Sequence, residues 1–130
     1  MALTIKRALA TLCVALAAST AYGHHSTANY NFEPPARQTI TGVVSYWSFS
    51  NPHSFIDVDV KEEDGSVSQY KIFLTSRVVL QRYGWRPNSL KAGDEVEIEG
   101  SPDRQLPSEL YLQRIVFPDG HEWRRDEVTE

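Results

Sequence analysis

Ser54-Phe55-Ile56-Asp57-Val58-Asp59-Val60 and Val67-Ser68-Gln69-Tyr70-Lys71-Ile72-Phe73-Leu74 stand on either side of Glu62-Glu63-Asp64-Gly65-Ser66. In the first stretch Ile56, Val58 and Val60 alternate with Asp57 and Asp59, the period of a half-buried strand. In the second, Tyr70, Ile72 and Leu74 share one face. Asp64-Gly65 is a turn pair that favours a hairpin between them. Working outward, Thr39 to Phe49 is rich in β-branched and aromatic residues and reads as a long strand. Gly42 in its middle predicts a bulge or sharp bend. Ser50-Asn51-Pro52-His53 ends that strand and leads into the hairpin. Ser76 can cap a short helix through Tyr83, with Val79, Leu80 and Tyr83 at helical spacing. Gly84 fits a left-handed C-terminal position, and Trp85 then plugs the core. Glu95 to Gly100 is a strand with Val96 and Ile98 inward and Glu95, Glu97 and Glu99 outward. Leu110 to Phe117 is a further strand, and Pro118-Asp119-Gly120 turns into a short last one around His121 to Arg124.

Three strands, a short helix, two strands and a small hairpin extension describe an all-β chain with one short helix. The helix falls between strands three and four, as in a five-stranded OB-like Greek-key barrel. The loop between strands one and two is a usual binding loop of that fold, and here it carries Asn51, Pro52 and His53. The barrel domain is expected over residues 39–125, behind an extended N-terminal arm at 24–38 and ahead of a disordered tail at 126–130. Pro34-Pro35 keeps the arm extended, because each proline restricts the residue before it.

Residues 1–23 read as a signal peptide. Lys6 and Arg7 form its positive region, Ala8 to Ala18 its apolar run, and Ala21-Tyr22-Gly23 its cleavage site. Ser19-Thr20-Ala21 also suits a peptidase and would place Tyr22 first. The chain has 130 residues, with 13 basic and 17 acidic side chains. The leader takes Lys6 and Arg7, leaving 11 basic against 17 acidic, a net charge of −6. An acidic domain is a poor match for nucleic acid, whose affinity comes from neutralised phosphates, or for anionic lipid. Cys13 is the only cysteine and lies in the leader, so the mature form has no disulfide and no thiolate. Leu12 before it argues against a lipid attachment site. No membrane span is expected, the length allows one domain with one modest core, and a monomer is expected. A periplasmic or secreted location follows from the leader.

Several elements together resemble a family of small exported bacterial proteins of unknown function. They are His24-His25-Ser26, Asn51-Pro52-His53, Gly84-Trp85, Ser89-Leu90-Lys91-Ala92-Gly93-Asp94 and Pro118-Asp119-Gly120. The resemblance spans nearly the whole mature chain. It implies export, a small β-barrel and cleavage after Gly23; it implies no activity.

Cleavage there makes His24 the first residue. Its free amine and imidazole form a chelate suited to copper(II), which favours tetragonal nitrogen sites. His53 is the first candidate for a third nitrogen, and His25 the alternative. Binding of this kind weakens below roughly pH 6, because amine and imidazoles must shed protons. The plainer alternative is a polar arm, with His53 bonded to backbone in a tight turn. Trp47, Phe49 and Phe55 flank Asn51 and Pro52. If Ile40, Val44 and Tyr46 point inward, Trp47 and Phe49 point out and form a surface for a small molecule or an envelope protein. A bulge at Gly42 would reverse that and turn these rings to core or arm packing. The acidic pairs Asp57/Asp59 and Glu95/Glu97/Glu99 read as solvated faces, and His121 as a solvated turn residue. No Gly-x-Ser-x-Gly elbow, phosphate loop or His-Glu-x-x-His motif is present. The expectation is therefore a non-catalytic binding protein, with copper the first ligand, a partner module the second, and a copper-dependent oxidase the third.

Overall fold

The computed structural model describes residues 27–127. The expected leader, His24, His25 and residues 128–130 lie outside them. Strands β1 (Gln38–Ser48), β2 (Phe55–Lys61), β3 (Val67–Phe73), β4 (Glu95–Pro102), β5 (Glu109–Val116) and β6 (Glu122–Arg124) form one sheet, with a helix α1 (Arg77–Arg82) between β3 and β4. The strand order is β3-β2-β1-β4-β5-β6, and a further parallel pairing of β3 with β5 closes the first five into a barrel. The expected tail begins inside a 3-10 turn, Arg125–Glu127, packed against β5.

β1 serves two partners. Gln38 to Val43 pair with β4 and Val43 to Ser48 pair with β2, so the strand must coil where it changes sides. Gly42 sits at that change and is a point of close approach. A Cβ placed there would lie 2.6 Å from the Asp59 carbonyl oxygen and 2.7 Å from a Val58 methyl. The bulge expected at Gly42 lies instead between Val44 and Tyr46, where Ser45 has no partner in the register. One unpaired residue moves every later side chain to the other face. Ile40 and Val44 are buried before the slip; after it Trp47 and Phe49 pack on the core, and Tyr46 is 55% exposed. The inward placement of Tyr46 is therefore corrected. A second slip, in β5, leaves Gln113 unpaired between Leu112 opposite Gly100 and Arg114 opposite Glu99.

The core fills from alternating positions: Ile56 and Val58 of β2, Ile72 of β3, Ile98 of β4, and Leu110, Leu112 and Ile115 of β5 are all essentially inaccessible. α1 forms because the Ser76 hydroxyl accepts the Val79 N–H at 3.4 Å, occupying one of the donors that a helix start leaves unpaired. It stops because Gly84 adopts φ +86°, a conformation that favours glycine. The chain then reverses, and the Trp85 N–H bonds Leu80 O at 3.1 Å. This drives the Trp85 indole into the barrel end, against Trp47, Phe117 and Trp123 with ring centroids 5.3–5.6 Å away.

Three acids of the outer faces are ion-paired. Asp57 meets Lys71 at 2.8 Å, Glu97 meets Arg114 at 2.7 Å and Glu99 meets Arg37 at 3.0 Å. Asp94 is different, because it is buried where the chain enters β4. It accepts the Lys91 N–H at 3.0 Å and the Lys91 ammonium, and these bonds, the ammonium's first, hold its carboxyl below the usual range. A depressed carboxyl stabilises the fold fully above its unfolded value near ~3.9, and that stabilisation is lost as pH falls through the lower folded value. Melting temperature should therefore drop as pH falls below about 4, and Asp94→Asn should flatten that part of the curve. Parallel curves for the two proteins would rule this out.

Candidate functional site

The β1–β2 loop is built by serines. The Ser54 hydroxyl donates to Ser50 O and accepts the Ser50 N–H, and the Ser50 hydroxyl donates to His53 O at 2.9 Å. Asn51 and Pro52 are joined by a cis peptide bond and stand exposed at the tip. His53 is half-buried, with Nδ1 3.3 Å from Leu74 O. A carbonyl carries no proton, so Nδ1 is the donor, and the neutral ring then presents the Nε2 lone pair. Among the described residues no three His, Cys, Asp or Glu side chains are grouped to hold a metal ion. A site of three such side chains that includes His53 would therefore draw on residues outside them.

The arm lies on the barrel. Tyr30 bridges to Asp103, the Asn31 N–H bonds Pro102 O at 2.8 Å, and the Arg104 guanidinium bonds Ala28 O at 2.9 Å. Short 3-10 turns at Thr27–Asn29 and Pro34–Ala36 replace a wholly extended arm. Asp103 anchors the other side: its carboxylate accepts the Gln105 and Leu106 N–H groups at 2.7 and 3.0 Å. The Tyr30 ring packs between Phe73 and Tyr111, and burial, with the Glu109 and Asp103 carboxylates behind it, keeps its hydroxyl protonated far above the ordinary tyrosine range.

The three aromatics expected around the loop are divided. Trp47 and Phe49 contact each other and pack on the core near Trp85. Phe55 lies on the outer face in a row of rings: Tyr46 to Phe55 is 5.7 Å, Phe55 to Phe73 6.4 Å and Phe73 to Tyr30 6.3 Å. The Lys71 ammonium covers Phe55 at 4.1 Å, and the Arg125 guanidinium covers Phe32 and Tyr111. Tyr46, Phe73 and Tyr30 did not stand out in the sequence, because ring rows only become visible once strand registers are known. His121 stacks on Phe117 with centroids 4.2 Å apart and contacts Asp119, and both polar side chains are exposed.

A closed five-strand barrel, a helix between β3 and β4, and a parallel β3–β5 seam define the OB-fold class. Within that class the chain belongs to a family of unknown function, DUF6152, whose family model matches residues 10–109. No curated protein matches the chain. Among solved structures, two of the S. cerevisiae mitochondrial single-stranded DNA binding protein Rim1 are similar. One is 16% identical with a TM-score of 0.49, and the other is 15% identical with a TM-score of 0.48. Each similarity covers 62% of this chain and 91% of the other. Among the described residues, no helix is long and apolar enough to cross a membrane.

Proposed function

We propose that the mature protein is an exported, periplasmic or secreted, non-catalytic binding protein that takes a copper(II) ion. The His24 amine and imidazole supply two nitrogens, and His53 or His25 the third. The observation that supports this reading is the His53 ring. Metal-binding histidines donate their other ring N–H to a carbonyl or carboxylate, which fixes the ring and aims the free nitrogen. His53 does so through Nδ1 to Leu74 O. The docked arm adds to it. Tyr30 rests on Phe73, the neighbour of Leu74, and only three peptide links separate Thr27 from His24, a span of at most about 11 Å. Amine and imidazole nitrogens bind copper(II) more tightly than the other divalent first-row ions.

The test is a copper(II) titration of protein beginning at His24, followed by electron paramagnetic resonance. One alanine added before His24 should remove the terminal chelate and change the spectrum. With His53 as the third ligand, His53→Ala should weaken binding by at least about a hundredfold, since even loss of a ligand's supporting partner costs about 10–100-fold; with His25 in that place, affinity should not change. Unchanged affinity and spectrum after the added alanine would overturn the reading, as would mass spectrometry showing a mature chain that starts at Tyr22.

A second reading, a partner or small-molecule module, is favoured by the exposed Tyr46 ring beside Phe55 and the loop tip Asn51-Pro52. In that case Tyr46→Ala and Phe55→Ala abolish capture of an envelope partner and leave copper binding intact.

A further inference from the structure

A cleft of about 330 Å³ opens between α1, β5 and the turn at Arg125–Glu127. Its walls are apolar, with Val79 from the helix, Leu112 from β5 and Trp123 from β6. Gln113 also lines it. This side chain is the unpaired residue of the β5 slip, is 8% exposed, and its buried Nε2 has no hydrogen-bond partner among the described residues. A buried amide without a partner is costly, and bulges are places where proteins re-aim a side chain toward a site. Arg125 and Asp126 complete the lining with adjacent opposite charges. The Arg125 guanidinium lies 4.8 Å from the Tyr111 ring centre and 5.1 Å from that of Phe32. These ring contacts hold the guanidinium in place, and its N–H groups are donors only.

We infer that this cleft is a binding site for an apolar α-amino acid. The carboxylate is the group that answers both Gln113 Nε2 and Arg125, since the amide nitrogen and the guanidinium each bring N–H donors. The ammonium answers Asp126, which would repel a simple carboxylate. The apolar side chain fills the space between Val79, Leu112 and Trp123, and the cleft has the size of a small ligand site. This site uses none of the histidines and is independent of the copper reading.

L-Phenylalanine is the probe, titrated into the full mature chain with a chelator present so that bound metal cannot contribute. Trp123 in the cleft wall makes intrinsic fluorescence a readout, with calorimetry beside it. Saturable binding in the micromolar to low millimolar range is expected. Gln113→Leu and Arg125→Ala should each weaken it by at least about tenfold, the loss expected for a hydrogen bond to a charged group. Gln113→Leu should do so while keeping or raising the melting temperature, because it removes an unpartnered buried amide. That combination separates a ligand contact from a merely structural role, in which the variant would lose stability instead. Phenethylamine, lacking the carboxylate, should not bind. No saturable binding of phenylalanine, unchanged affinity in Gln113→Leu, or equal binding of phenethylamine would each overturn the inference.

Discussion

Trp85→Ala should bring the protein to the edge of unfolding. The indole is 3% exposed and touches three other rings, so truncation removes the plug of one barrel end and leaves a large void. A buried tryptophan cut to alanine costs about 3–5 kcal/mol, against a total stability of about 5–15 kcal/mol for a domain. In a barrel of this size the melting midpoint should fall by roughly 15–30 °C. Thermal melts by far-UV circular dichroism check this, and near-UV signal should fade as the ring cluster of Trp47, Phe117 and Trp123 loosens. A fall of only a few degrees would mean that the indole is peripheral. The short sequence from Ser76 to Trp85 is thus a unit: the serine starts the helix, Gly84 reverses the chain, and the reversal aims the indole.

Gly42→Ala should be the most damaging of the small substitutions. The new methyl would meet the Asp59 carbonyl at 2.6 Å and a Val58 methyl at 2.7 Å. The first is backbone of the paired strand, which moves only if the β1–β2 ladder parts. Overpacking of this kind costs about 1–3 kcal/mol and sometimes more, or roughly 5–20 °C in melting midpoint. Thr41→Ala, one position away and exposed, is the control and should stay within about 0.5 kcal/mol of wild type. Equal midpoints for the two variants would show that the barrel yields at this point.

Strand identity, the helix cap and the placement of Trp85 were legible because they depend on local pattern: alternation, a capping serine, a glycine after the last turn. The meaning of Gly42 was not, since a strand glycine marks either a bulge or a close approach, and only the fold shows Asp59 lying over it. Yet the slips themselves left a trace. In β1 the core positions run Ile40 and Val44, then Trp47 and Phe49; along β5 and just past its end they run Leu110 and Leu112, then Ile115 and Phe117. Both series pass from even to odd numbers, which is what one unpaired residue does to a period of two. That change of parity brackets Ser45 in the first strand and Gln113 in the second. The ring row and the cleft were beyond sequence, because they join side chains from β1, β2, β3, the arm and the last turn.

The bond from the Arg104 guanidinium to Ala28 O joins residues 76 positions apart. Contacts this distant in sequence carry a loop-closure cost and form late. The arm has no place to dock until β4 and the loop that follows it are in position, since Asp103, Pro102 and Arg104 are its receivers. The first residues of the described chain are therefore among the last to find their seat. The segment from Ala28 to Asn31 is gathered against the barrel only when assembly is nearly done.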